Sequence, residues 1–240
     1  MNRKASKAIR VITTLLILAL LLLPMAALVA CRGAPPLTVE DIKDVSPDDW
    51  FYRYVVAGIR FGVIRDERGG GGDDESDEPM RFEPDSVITQ GEFITMLGRL
   101  HEHGNRAIGA SGDGPDYEQY MTWAIDVGII RDNMGWDLTP CASINREQMI
   151  VLVYGYIVVF DLHDYLHHGY EMIWMRYNDH YEISRWARGQ AERLRVMLIM
   201  PGRDGLYFMP HDTVSRADAL QILVSVGSAV YDSVHPLMMK

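Results

Sequence analysis

The chain offers few residues whose spacing could do covalent or metal chemistry. His163 and His167 stand four apart, as two metal ligands on one helical face would, with Asp161, Asp164 and His168 close by. No His-Glu-x-x-His pattern accompanies them, so no metal site is expected. The run Asp73–Glu78 could hold a cation only loosely, because it lacks the alternating ligands and distal Glu of a calcium loop. Cys31 and Cys141 are the only thiols, too few for a disulfide scaffold. No nucleophile elbow, phosphate loop or catalytic carboxylate pair stands out, which points to a noncatalytic protein without a cofactor.

A different chemistry recurs, that of hydrogen-bond capping. Thr89, Asn145 and Ser215 each precede an apolar-periodic run, and three residues on stand Glu92, Gln148 and Asp218. A small polar side chain at an N-cap accepts from the third N–H of the helix, and a Glu or Gln there returns a bond to the cap. Asp218 is a shorter-armed version. Five residues before each cap lies the Pro of Phe82-Glu83-Pro84, Leu138-Thr139-Pro140 or Phe208-Met209-Pro210. The runs that follow bring Phe93, Met96, Leu97 and Leu100 to one face, then Met149, Leu152, Val153 and Tyr156, then Ala219, Ile222, Leu223 and Val226.

Each capped helix is preceded by another. Trp50, Tyr54, Gly58 and Phe61 form one stripe ended by Gly62; Tyr120, Trp123, Ala124 and Val127 form a second ended by Gly128. Trp186, Ala187, Gln190, Ala191 and Leu194 form a third, with Leu198 where the others have Gly. Ten residues separate that position from the Phe or Leu in the second and third units, and twenty in the first, where 69–78 reads as an inserted acidic loop. The repeat is therefore helix, turn-rich loop, capped helix, three times over.

These units resemble S-layer homology repeats. The carrying residues are Asp44-Val45, Trp50, Gly62-Val63-Ile64 and Ile88-Thr89-Gln90-Gly91-Glu92 in the first. The second has Trp123-Ala124, Gly128-Ile129-Ile130 and Ile144-Asn145-Arg146-Glu147-Gln148, and the third Trp186-Ala187 and Val214-Ser215-Arg216-Ala217-Asp218. The resemblance runs from about 41 to 228, with repeats at 41–104, 112–160 and 177–228. It implies a mainly α fold, three helix-loop-helix repeats closing into a pseudo-threefold bundle with the second helices at its centre. It also implies that grooves between repeats bind secondary cell-wall polysaccharide bearing pyruvylated sugar. Arg146 and Arg216 would be contacts, with uncharged Gln90 at the same position of the first repeat; Trp50 and Trp186 would offer faces to sugar rings. Asp116 holds the corresponding position of the second repeat, which weakens that groove.

Elementary chemistry agrees in type. A pyruvate ketal carries a carboxylate, and Arg in a first helical turn adds a bidentate fork to the positive helix end. Aromatic faces suit the apolar side of a sugar. The other reading of the same residues is structural: solvated arginines, packed tryptophans, and caps that only hold helices.

The first thirty residues hold four of the 23 basic residues, Arg3, Lys4, Lys7 and Arg10, and none of the 33 acids. An apolar run, 11–30, follows and reads with them as a signal peptide over 1–30. Leu28-Val29-Ala30-Cys31 resembles the bacterial lipobox, which implies cleavage before Cys31, a lipid on its sulfur and a membrane anchor. An uncleaved anchor or plain secretion are the alternatives, and without a lipid Cys31 could pair with Cys141. Residues 31–40 read as a short tether. All versions place the body outside the cytoplasm. That body sets 19 basic against 33 acidic residues, which disfavours nucleic acid as a partner. Gln90, Asp116 and Leu198 leave room for a second function class: a lipid-anchored assembly factor that binds protein through a degenerate form of the fold.

Overall fold

The computed structural model describes residues 36–66, 79–105, 108, 116–166, 176–200 and 202–232. The expected signal peptide, Cys31, the acidic insert, His167, His168 and Met172–Met175 lie outside the described residues.

The chain is a mainly helical bundle, with no strand among the described residues. A 3-10 turn at Val39–Asp41 leads to α1 (Tyr52–Arg60), α2 (Gln90–Gly104) and α3 (Asp116–Asp126). Then come α4 (Arg146–Val159), α5 (Arg185–Val196) and α6 (Arg216–Gly227). A 3-10 turn, Leu162–Tyr165, follows α4, and a π-turn, Ser228–Asp232, ends the bundle. No helix among the described residues is long and apolar enough to cross a membrane.

The caps form where their spacing predicts them. Thr89 Oγ1 accepts from Glu92 N–H at 3.1 Å, and Glu92 Oε2 accepts from Thr89 N–H at 2.7 Å. Asn145 and Gln148 make the same reciprocal pair at 2.9 and 3.0 Å. Ser215 Oγ accepts from Asp218 N–H at 3.1 Å, but the short Asp218 carboxylate turns to Arg203 at 3.0 Å instead of returning to the cap.

The residues just before these caps tie the bundle together. Ile88 N–H donates to Val214 O, Val214 N–H to Ile144 O, and Ile144 N–H to Ile88 O, each at 3.1 Å. The three bonds close a ring, and all three side chains are fully buried. Such a ring satisfies backbone groups that no helix or strand serves. A second set recurs one turn outward: Gly91 N–H to Pro140 O, Glu147 N–H to Pro210 O and Ala217 N–H to Pro84 O, at 2.9 to 3.1 Å. Each Pro of the x-Pro motifs thus presents its carbonyl to the first turn of another unit's capped helix.

Helix packing follows the same cycle. α1 lies on α6, α3 on α2 and α5 on α4, while α2 and α6 also touch. The second helices are the more buried: α4 buries Met149, Ile150, Leu152, Val153, Tyr156 and Ile157, whereas α1 buries only Val55 and Gly58. Each fully buried aliphatic side chain contributes about 1.5–3 kcal/mol.

Two details of the first helices differ from the expectation or explain it. Trp50 does not join the buried stripe; α1 begins at Tyr52, Phe51 takes the inward place, and Trp50 is 56% exposed. Leu198, where the other units have Gly62 (φ 68°) and Gly128 (φ 84°), adopts the same left-handed backbone at φ 59°. The fold imposes that turn even without glycine, at a cost of about 1–2 kcal/mol.

Candidate functional site: grooves between the repeats

The residue after each cap reaches into the x-Pro loop of the next unit. Arg146 Nε donates to Phe208 O at 2.7 Å, with its guanidinium over the Phe208 ring at 5.6 Å. Arg216 Nη1 donates to Phe82 O at 2.9 Å. Gln90 Oε1 accepts from Thr139 N–H at 3.0 Å and from Trp136 Nε1 at 3.4 Å. All three positions therefore pin a neighbour, a role that neither the ligand reading nor the solvated reading contains.

The loops they pin are held from behind as well. Asp44 accepts from the N–H groups of Phe82 and Glu83, both at 2.7 Å. Asp179 accepts from Phe208 and Met209 at 2.8 and 2.6 Å. Glu83 (φ 54°) and Met209 (φ 55°) sit in the left-handed region, where a non-glycine residue stays only if its surroundings hold it. Sequence reading passed over Asp179, and the only hint was its resemblance in place to Asp44.

Among the described residues two grooves stand out, each lined by residues of more than one unit. The larger, about 450 Å³, runs from the first unit's loop over Ile88 and on to Glu92 and Met96 of α2. Four arginines line it, Arg65, Arg81, Arg99 and Arg216, with Asp66, Glu92 and the ring of Tyr117 from the second unit. Arg65 donates to Gly62 O at 2.8 Å and to Glu102 at 2.5 Å. Arg216 is 28% exposed and stands 3.6 Å from Glu92 and 3.5 Å from Glu83.

The smaller groove, about 260 Å³, has the same plan around the third unit. Its loop supplies Met200, Gly202 and Arg203, its capped helix Asp218, Gln221 and Ile222, the second unit Arg146 and the first unit Trp50. Arg146 is only 5% exposed, and burial, together with the nearby Arg203 charge, lowers its pKa. Arg203 lies 3.0 Å from Asp218 and 3.9 Å from Asp212. Behind the loop the Tyr177 hydroxyl donates to Met200 O, and burial pushes its pKa up to about 12. Arg195 stacks 4.1 Å from the Tyr177 ring, so the loop is backed by a fixed group.

The corresponding position of the second unit is occupied by side chains. Trp186 packs on Trp136, ring centroids 5.1 Å apart at 37°, and Gln90 accepts from the Trp136 indole N–H. Of the five residues expected to bind polymer, the structure brings Arg216 to the first groove and Arg146 and Trp50 to the second. Gln90 and Trp186 lie at the filled position. Tyr117 supplies the aromatic ring next to Asp116, one residue later than the aligned tryptophans.

Elsewhere, His163 stands 3.8 Å from Asp161, and no three His, Cys, Asp or Glu side chains converge on a point among the described residues. Cys141 is an exposed free thiol.

The chain matches no protein-family model. It is 23% identical over 153 residues, 59% of its length, to an endoglucanase from Bacillus sp. (strain KSM-635), and spans 15% of that protein.

Proposed function

We propose that this chain is a noncatalytic cell-envelope attachment module that holds secondary cell-wall polysaccharide, with pyruvylated sugar, in the grooves between its repeats. The observation that carries the reading is the shared plan of the two grooves. A guanidinium pinned by one unit, an aromatic ring from a second and polar side chains from a third meet around open space. The guanidinium suits a carboxylate and the ring suits a sugar face. The domain division follows the repeats: signal peptide 1–30, tether 31–40 and units at 41–104, 112–160 and 177–228. A lipid on Cys31 fixes one end in the membrane. The endoglucanase alignment falls on a small part of a much longer protein, which suits a shared accessory segment better than a shared enzyme.

The test is retention of the full chain, kept in detergent, on purified cell-wall sacculi before and after the secondary polymer is stripped. Retention that disappears with the polymer supports the reading; equal retention in both cases refutes it. The second reading, a lipid-anchored assembly factor, draws on the Trp136–Trp186 contact, which replaces one groove by a packed surface. Chemical crosslinking that recovers one defined protein partner from envelopes lacking the polymer would favour it.

A further inference from the structure

We propose that a braced apolar edge of the third unit, built from 177–182 and 198–209, rests on the surface of the bilayer that holds the chain's own lipid. The inference rests on the lipid at Cys31, not on the polymer, and adds an orientation to the anchored body.

Exposed apolar side chains are unevenly spread. Eleven large ones are exposed among the described residues, and five of them, Tyr181, Leu198, Leu206, Tyr207 and Met209, fall in these two segments. Tyr181 is 83% exposed. Single exposed apolar residues are ordinary, whereas several gathered on one loop system mark a surface that meets something. The two segments are bonded together. Asn178 N–H donates to Leu206 O at 2.9 Å, and Asp179 accepts from the N–H groups of Phe208 and Met209. Tyr181 follows Asp179 by two residues.

The edge is also fixed in shape. Arg203 N–H donates to Tyr207 O at 2.7 Å, closing a turn through Asp204 (φ 50°) and Gly205 (φ 69°). Arg195, stacked on the Tyr177 ring, donates to Gly205 O at 3.0 Å from behind. Phe208 is fully buried, which anchors the stretch while Leu206, Tyr207 and Met209 beside it stay exposed. Side chains presented by such a frame lose little freedom on contact. Charge does not select the partner. The exposed charged residues of the segments are Arg203, Glu182 and Asp204, and Arg203 is tied to Asp218 and Asp212. The attraction is therefore apolar.

The partner follows from the length of chain ahead of the body. Cys31 lies five residues before Pro36, where the described residues begin, so at most about 18 Å separates the two. A folded body of this length has a radius of gyration of about 17 Å. An anchored body thus stays within its own dimensions of the bilayer, and its exposed faces meet the headgroups at high effective concentration. At that concentration a contact of a few side chains is enough to set the orientation. Tyrosine suits the headgroup layer, with its ring toward the acyl chains and its hydroxyl in water. Tyr181 and Tyr207 fit that layer, and Leu206 and Met209 reach beside them.

The test places one nitroxide at Leu206→Cys, Tyr181→Cys or, as a control on α3, Ile125→Cys, each in a full chain carrying Cys141→Ser and held on phosphatidylcholine vesicles. Labels at Leu206 and Tyr181 should collide less with a water-soluble nickel complex and more with oxygen than the label at Ile125, which is itself exposed. Leu206→Asp with Tyr207→Asp should return the Tyr181 label to the accessibility of the control. Equal accessibility at all three positions, in a chain that sediments with the vesicles, overturns this inference alone. A chain left in the supernatant overturns the lipid on Cys31 and the inference with it. Shielding from both reagents at Leu206 and Tyr181 reports a protein partner or a second copy instead of a bilayer, and overturns it too.

Discussion

Asp179→Ala measures how far a carboxylate holds the loop that the groove arginine grips. Asp179 is 7% exposed and accepts from two successive backbone N–H groups at 2.8 and 2.6 Å. A hydrogen bond to a charged group contributes about 1.5–3 kcal/mol. The Phe208 N–H is buried and finds no replacement, so its loss takes the full value. The Met209 residue is partly exposed, and water can serve its N–H in part. Its φ of 55° holds roughly 1–3 kcal/mol of strain that the loop releases once freed, which offsets some of the loss. The expected net destabilisation is about 3 kcal/mol, a large share of the 5–15 kcal/mol typical of a domain, yet short of unfolding it. Asp179→Asn retains one acceptor and turns an NH2 group toward the other N–H, so it should cost about 2 kcal/mol. Asp44→Ala, at a half-buried copy of the same arrangement, should cost about 1–2 kcal/mol. Urea unfolding of the three variants, with slopes unchanged from wild type, gives the values. An Asp179→Ala effect below about 0.5 kcal/mol, or a larger effect at Asp44, would refute the reasoning.

Leu198→Gly should raise stability by about 0.5–1 kcal/mol, because a half-exposed side chain is given up to relieve a left-handed backbone at φ 59°; a thermal melt that falls by several degrees contradicts this. His101 packs against Trp123, Tyr156 and Phe160, and burial lowers its pKa despite the opposing pull of Glu102. Its folded pKa lies below the unfolded one, so its contribution is complete above about pH 6.5 and is lost as pH falls through that value toward the folded pKa. Unfolding between pH 7 and 5 should therefore show a steeper loss of stability in wild type than in His101→Phe, and parallel curves would show that His101 contributes nothing to the slope. Gly135→Ala should cost several kcal/mol, since φ 99° disfavours any side chain and the added Cβ meets the Trp186 indole; a change below about 1 kcal/mol in urea unfolding would mean that the Trp136–Trp186 contact is loose.

What the sequence disclosed was local. Thr89…Glu92 and Asn145…Gln148 are legible because both partners sit within one turn, and the apolar stripes that follow report burial at a 3.6-residue period. Leu198 was legible as an equivalent of Gly62 and Gly128 by position, though its residue type argued against that backbone. The failures are long-range. The bond from Arg146 to Phe208 O spans 62 residues, and that from Arg216 to Phe82 O spans 134. No spacing rule announces that a first-turn arginine will serve as a pin between units. Trp50 leaves the apolar stripe because α1 begins at Tyr52 and Phe51 takes the inward place, which leaves the indole at the groove wall. The arginines of the first groove come from a loop, a capped helix and another unit, so their convergence appears only once the ring of Ile88, Ile144 and Val214 has closed.

The central claim is that arginines placed by one unit against the loop of the next bind an anionic wall polymer. Its most direct test is the affinity of the full chain for purified secondary polymer, compared among wild type, Arg146→Ala, Arg216→Ala and Gln90→Ala, each checked for a native melt. Affinity should fall about tenfold to a hundredfold for Arg216→Ala, measurably for Arg146→Ala, and little for Gln90→Ala beside the packed Trp136–Trp186 pair. Matching small effects at all three positions would contradict it and leave these residues as pins of the bundle and nothing more.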